Sequence, residues 1–406
     1  MDTITHGIAG ALIGKALFKG EDMFALKPMN RARVVTGCLM LGAIFPDIDV
    51  LRDLFSHNQL LLITWHRSIT HSLVCMPVWA LLLAALTRWI VRWRKWESPS
   101  FLVLAGFYAV GILSHILLDL ATTFGTMIWS PISWARPAWD VLFIVDFTFT
   151  GILLLPQFLA WIHLDAARAK RRALFIWLIF MPAPFIVAAI ARTVGAAIAD
   201  SSVLIAVLVL TLLILLPAYR GWGPRFGYFD WNRAGLAAAC IYVGLAVFAH
   251  HAAFGRIQSF SALENINVNS IAALPLPPSL WHWDGLILTP RGVYEMRMDL
   301  SEKSSLSTRA EAAANPAAEA PIEYHFYPDA PDNSYIEAAR RLPQVRDVLW
   351  FDRFPVTRFH KEGNEAVVEI LDYRFAQLRP GRSPSFTYRV RFDSSGQVLS
   401  QGWVRR

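Results

Sequence analysis

Within the first 150 residues, nine ionisable side chains lie inside or at the ends of hydrophobic segments: His6, Asp47, Asp49, His66, His71, His115, Asp119, Asp140 and Asp146. Groups of this kind are costly in an apolar medium unless they pair with one another or bind a metal. So dense a set therefore points to a built site, and any fold proposed for the chain has to bring these side chains together.

The medium follows from the composition. Hydrophobic residues fill 55% of the 406 positions and charged residues only 17%, where a soluble chain carries about a quarter. The chain reads as a polytopic membrane protein. Its net charge of +7 gathers in short loops between apolar runs, where topology explains it without nucleic acid. Met1 to Phe18 has no basic n-region and is followed by Lys19, so the first segment is expected to be retained rather than cleaved. Cys38, Cys75 and Cys240 fall in apolar stretches without disulfide or zinc-knuckle spacing, and read as buried packing residues.

Apolar runs of about 17 to 25 residues mark spans. Eight are expected, near 2–18, 33–51, 69–92, 101–122, 140–162, 173–192, 200–219 and 234–254. Every second loop is basic: Lys19, Lys27, Arg31 and Arg33; then Arg88, Arg92, Arg94 and Lys95; then Arg168, Lys170, Arg171 and Arg172; then Arg220, Arg225 and Arg233. The positive-inside rule then puts the N-terminus and the C-terminal tail outside the cytoplasm. All nine ionisable residues fall at the non-cytoplasmic ends of these spans.

The spacing within each motif bears on ligation. His115 and Asp119 are four apart, so one helix face carries both towards a common metal. Asp47 and Asp49 would diverge on a regular helix, but Pro46 breaks the ladder and lets an extended turn present both. His66 is expected before a helix and His71 in its first turn, with Ser68 or Thr70 as cap. Each pair alone also has a plain structural reading as a cap or interfacial group; their accumulation favours ligands. Gly10 and Gly14 behind His6 have the small-xxx-small spacing that packs helices closely. Asp140 reads equally well as an interfacial residue with water access. Asp146, placed deeper, reads as an orienting partner of a ligating imidazole or as a further ligand. His250 and His251 close the eighth span and are as well explained by a wet interface.

Four ordered motifs carry a resemblance: Thr5-His6-x-x-x-Gly10, Pro46-Asp47-x-Asp49, His66-Arg67-x-x-Thr70-His71-Ser72, and Ser114-His115-x-x-x-Asp119 followed by Phe124-Gly125-Thr126. Over roughly residues 1–150 the chain resembles the YdjM-type family of membrane-bound metal-dependent hydrolases, with Asp146 matching a further family aspartate. The resemblance implies a membrane-embedded metal site, hydrolase activity, and a remote kinship with zinc-dependent phospholipases C. The three further spans and the C-terminal region set this chain apart from the short members.

At least three imidazoles and three carboxylates suit Zn²⁺ or Mn²⁺ better than Ca²⁺, and outnumber the needs of one tetrahedral ion, so a two-metal centre is in view. The metal ligands are expected among His6, Asp47, Asp49, His66, His71, His115 and Asp119. Arg67 is expected to neutralise a phosphate oxygen and Asp146 to assist catalysis. A site at headgroup depth selects amphiphiles, and the expected substrate is a phospholipid or another lipid-linked phosphoester. No Gly-x-Ser-x-Gly elbow or Cys/His dyad offers a competing chemistry.

Beyond about residue 255 the pattern changes. A Pro- and Trp-rich linker is expected over 256–283. Alternating apolar and polar residues over 286–300, 322–327, 348–360, 366–375, 386–392 and 398–404 predict a small β-rich extramembrane domain (284–406) on the non-cytoplasmic side. Its one helix is expected at 333–342, with a mobile loop at 301–320. The expected architecture is thus an all-α membrane bundle of about eight spans followed by an α+β domain, in the inner membrane. Two rivals stay open: a transporter, whose charges should line several depths, and a non-catalytic metal-stabilised scaffold or envelope-stress factor with a closed coordination sphere.

Overall fold

Asp2 opens the first helix by accepting a hydrogen bond from the Thr5 amide, while the Thr5 hydroxyl donates back to its carboxylate at 2.7 Å. In the computed structural model, residues 1–18, 28–52, 56, 60–96, 98–193, 198–276, 280–301, 324–375 and 386–404 are described. The helices are α1 (Thr3–Leu17), α2 (Pro28–Ile44), α3 (Leu61–Thr64), α4 (Met76–Trp93), α5 (Phe101–Leu120), α6 (Phe147–Ile162), α7 (Ala169–Phe180), α8 (Ala183–Thr193), α9 (Asp200–Tyr219) and α10 (Tyr228–Leu263). Strands β1 (Ser270–Pro275), β2 (His282–Thr289), β3 (Gly292–Asp299) and β4 (Tyr324–Pro328) follow. Helices α11 (Ser334–Arg341) and α12 (Pro343–Phe351) then lead into β5 (Pro355–Glu362), β6 (Glu365–Asp372), β7 (Thr387–Phe392) and β8 (Val398–Trp403).

The first helical layer is locked by absent side chains. A Cβ at Gly10 would stand 2.6 Å from the Leu39 carbonyl oxygen, and one at Gly111 would meet the same oxygen at 2.6 Å. α1 and α5 therefore close on α2 from two sides at backbone contact, the close packing that the Gly10–Gly14 spacing predicts for α1. Around this seam, α2, α4 and α5 share one apolar core and α1, α6 and α10 another.

Among the described residues the expected eight spans are reduced to four or five. Four helices, or five counting one bent pair, are long and apolar enough to cross a membrane: Phe101–Leu120, Ala169–Ala189, Asp200–Tyr219 and Tyr228–Leu263, with the pair Leu61–His71 and Met76–Trp93 bent by 73°. α1 has 15 residues and α6 has 16, about 22 to 24 Å of helix against a hydrocarbon core of about 30 Å. The expected span 33–51 passes into a 3-10 helix at Phe45, and that at 140–162 becomes helical only at Phe147. Hydropathy merged these pieces because an apolar run keeps its composition across a break in the helix. Lys19 and Lys27 of the first basic loop lie outside the described residues.

The C-terminal region holds two four-stranded antiparallel sheets, ordered β1-β2-β3-β4 and β5-β6-β7-β8. They share a core in which Leu274, Leu286 and Val293 meet Phe354, Val356 and Leu371. The stretch 256–283 carries the end of α10 and strand β1 as well as connecting chain. Residues 348–351 belong to α12 rather than to a strand, because Pro343 at its first position and the buried Val345, Val348 and Phe351 give that segment a helical period. The expected loop at 301–320 lies, beyond Ser301, outside the described residues. Of the cysteines, Cys38 is buried, Cys75 half-buried and Cys240 exposed, so Cys240 is not a packing residue.

The β-rich region sits on the end of the bundle that carries the C-terminus of α5. Ile257 and Phe260 of α10 pack on Trp283, Ile287 and Met296, and Leu60, Ile63 and Phe124 enter the core of α11, α12 and the second sheet. Arg353 forms a two-pronged ion pair with Asp140 at 3.0 and 2.8 Å, and Arg374 donates to the Thr123 carbonyl at 3.0 Å.

Candidate metal centre

Asp119, fully buried near the C-terminus of α5, has two differently used oxygens. Its Oδ1 receives the Arg67 guanidinium at 2.9 Å, His6 Nε2 at 3.2 Å and the Met1 amine. Its Oδ2 stands 3.3 Å from both His71 Nε2 and His115 Nε2, yet meets no donor at hydrogen-bond geometry. One oxygen is saturated, and its twin is orphaned beside two ring nitrogens.

Those nitrogens are aimed from their far sides. His115 Nδ1 lies 2.6 Å from the Ala43 carbonyl oxygen, an acceptor only, which puts the proton on Nδ1 and leaves Nε2 as a lone pair. His71 Nδ1 faces Asp49 Oδ2 at 3.4 Å and the Thr70 hydroxyl at 3.0 Å, so its Nε2 also points inward. The two Nε2 atoms are 3.0 Å apart. At that spacing either a proton shared between the rings or a cation between them relieves the repulsion of the two nitrogens.

Asp47 completes the cage. Its Oδ1 is 3.5 Å from each Nε2, and its Oδ2 accepts from the Thr3 hydroxyl at 2.5 Å. Ligands about 2.0 Å from a tetrahedral zinc stand about 3.3 Å from one another, so separations of 3.0 to 3.5 Å among these donors match the size such an ion requires. Asp47, His71, His115 and Asp119 are the buried group of donors able to hold a metal, and Asp47, Asp49 and His66 form a second, more open group. The side chains of the inner group are at most 9% exposed, whereas Asp49 is 12% and His66 15% exposed.

Local sequence explains the convergence. Pro46 converts the end of α2 into a 3-10 helix over Phe45–Val50 rather than the extended turn expected. At 3.0 residues per turn, Asp47 and Asp49 lie about 120° apart instead of about 160° on an α-helix, and both reach the pocket. Arg67 adopts a left-handed backbone with φ of 63°, a region worth about 1–3 kcal/mol of strain for a non-glycine residue. It is held there by Asp49 Oδ2, which accepts from the Arg67 amide at 3.1 Å. His66 and His71 thereby flank the same carboxylate, and His66 Nδ1 lies 2.9 Å from Asp49 Oδ1.

Residues 1–196 match the YdjM inner membrane protein family. No curated protein and no solved structure matches the chain. The YdjM match covers every donor of both groups, while α9, α10 and the β-rich region lie beyond it.

Within the YdjM region, all seven residues expected as ligands gather at one place, but not in equal roles. His6 stacks on His115 with ring centroids 3.6 Å apart and contacts Asp119; it belongs to neither donor group. Arg67 is 2% exposed; its NH2 is committed to Asp119 and its NH1 to Thr122 Oγ1 at 2.8 Å, so it braces a donor rather than standing free for a phosphate. Asp146 is outside both groups. It caps α6 through the Phe149 amide and accepts from the Tyr242 hydroxyl at 2.7 Å, joining α6 to α10. Ser68 makes no cap, while Thr70 donates to Asp49 at 2.9 Å.

Sequence reading missed Arg136. Its guanidinium donates to the carbonyls of Ile63 and His66 and lies between the rings of Phe124 and Phe351, 4.6 and 5.1 Å from their centroids. A lone arginine in a Trp- and Pro-rich loop gives no sequence signal for that role.

Proposed function

We propose that the YdjM-type region is a membrane-embedded, metal-dependent hydrolase that cleaves a phosphoester of a lipid or another amphiphile at the non-cytoplasmic interface. The observation that carries the reading is the convergence of two inward-facing Nε2 atoms with the orphaned Asp119 Oδ2 and with Asp47 Oδ1. A divalent ion, zinc by donor set and size with manganese as the alternative, supplies Lewis acidity there.

The chain's own residues divide the remaining work. Asp49 and the Ala43 carbonyl fix the tautomers of His71 and His115. Arg67 neutralises Asp119, and Arg67 and His6 orient it, through the oxygen that faces away from the cage. His66, with Nδ1 held by Asp49 and its ring partly accessible, is placed to carry a proton to or from a substrate when only the buried group holds an ion, and to ligate when a second ion is bound. The open group of Asp47, Asp49 and His66 has only three donors, which leaves room for a second ion and an exchangeable position.

Sidedness draws support from the helix ends. The basic residues Arg88–Lys95, Arg168–Arg172 and Arg220–Arg233 follow or precede the ends of α4, α6, α7, α9 and α10 that lie away from the donors. The positive-inside rule assigns that end to the cytoplasm, and the donors and β-rich region to the other side.

One observation favours a structural ion instead: the buried group offers four protein donors, the number of a closed site. Metal analysis of intact protein, alongside His115→Ala and Asp47→Ala variants, decides together with hydrolysis assays on lipid phosphoesters. The hydrolase reading expects about one or two equivalents of zinc or manganese, loss of metal in both variants, and phosphoester cleavage that falls with it. Protein that keeps its metal but leaves every lipid phosphoester intact sinks that reading and leaves the scaffold.

A further inference from the structure

A cavity of about 470 Å³ opens beside the donors, bounded by the end of α2 and the 3-10 helix on one side and by α4 and Tyr108 on the other. Its polar end is Asp47, the one cage ligand among its walls. Leading away from Asp47, the wall on α4 is made by Leu83, Leu86, Thr87 and Ile90, whose spacing of three, four and seven residues marks one face of a helix over about 10 Å. The remaining polar wall groups satisfy each other: Thr87 Oγ1 bonds the Tyr108 hydroxyl at 2.6 Å, and Thr3 donates to Asp47. The occupant such a groove accepts is apolar along its length and polar at the Asp47 end.

The surroundings identify the source. Leu86 is 52% exposed and Ile48 49%, and α4 forms the long arm of the bent apolar pair. A groove on that face lies against lipid hydrocarbon, where water is excluded and acyl chains are the abundant solute. We propose that the groove seats one acyl chain of a bilayer phospholipid and so presents that lipid's head region to Asp47. The assignment rests on the hydrolase reading for its consequence, the choice of substrate, but not for its geometry.

The test uses the full-length protein in nanodiscs of phosphatidylethanolamine and phosphatidylglycerol doped with a phospholipid carrying a photoactivatable diazirine in one acyl chain. Cross-links mapped by mass spectrometry are expected to concentrate on residues 41–51 and 83–90 over the exposed face of α9. Leu86→Trp, which fills the groove, should lower that yield about tenfold at unchanged metal content, whereas Leu82→Trp on the neighbouring exposed face should not. Equal labelling of α9 and the groove, or labelling indifferent to Leu86→Trp, overturns the proposal. Preferential labelling by a diazirine-bearing polyprenyl phosphate over the phospholipid overturns the acyl assignment. Should the groove label as expected while no phosphoester is cleaved, the hydrolase reading fails alone. Should Leu86→Trp leave wild-type cleavage of long-chain phospholipid intact, the groove fails alone.

Discussion

At the scale of single residues, the centre depends on how each carboxylate divides its two oxygens. Asp119 gives Oδ1 to Arg67 and His6 and keeps Oδ2 for the cage. Replacing Arg67 with Gln removes the brace without removing a donor, so metal affinity is expected to fall about 10- to 100-fold with the ligand atoms unchanged; competitive titration with a chelating dye, paired with X-ray absorption, measures both. The His115–Asp119 pair was legible in sequence because four-residue spacing fixes a helix face. The use of Arg67 was not, since spacing cannot reveal that two of its guanidinium nitrogens are given to Asp119 and Thr122. The cap made by Asp146 was illegible for a related reason: a buried aspartate beside an apolar run reads alike whether it caps a helix or orients a ligand.

At the scale of elements, the donors are placed by breaks in helices rather than by helices alone. Pro46 turns α2 into a tighter helix, the 73° bend between Leu61–His71 and Met76–Trp93 swings His71 inward, and Gly10 and Gly111 let α1 and α5 close on Leu39. A methyl group at position 111 would press on backbone rather than on a flexible side chain: the Leu39 oxygen at 2.6 Å, and the Ala43 amide nitrogen and Gly42 Cα at 3.0 Å. Gly111→Ala is therefore expected to destabilise the fold by about 1–3 kcal/mol, read as a lowered midpoint of thermal unfolding in detergent, and to loosen metal binding because α5 carries both His115 and Asp119. The proline and the glycines were visible in the sequence. What they did, a 3-10 turn in place of an extended one and a shared contact at one carbonyl, depended on partners distant along the chain.

At the scale of the molecule, hydropathy distinguished a membrane-embedded part from a β-rich part but gave more spans than the described residues form, because α1, α2 and α6 are apolar yet end short of a full span. Two α-helices, not one, cover the second sheet, and the sheets meet the bundle through polar pairs that composition does not announce. One of these regions titrates. Asp352 is buried, its carboxylate oxygens meet no donor, and burial followed by the neighbouring Asp372 pushes its pKa well above the usual carboxylate range against the pull of Arg374. A carboxyl raised in the folded state contributes stability that is full below its unfolded value of about 3.9 and is lost as pH rises through the folded value. Asp352→Asn is accordingly expected to unfold at a higher temperature than wild type at pH 8 and at nearly the same temperature at pH 4, as followed by tryptophan fluorescence.

The clamp on the segment after α5 also bears on biogenesis. The donors come from residues 47 to 119, whereas the groups that pin the segment after α5, Arg353 and Arg374, come from the last quarter of the chain. A protein made from its N-terminus has all six candidate donors in place before those anchors exist, so the donors are expected to assemble without help from Arg353 or Arg374.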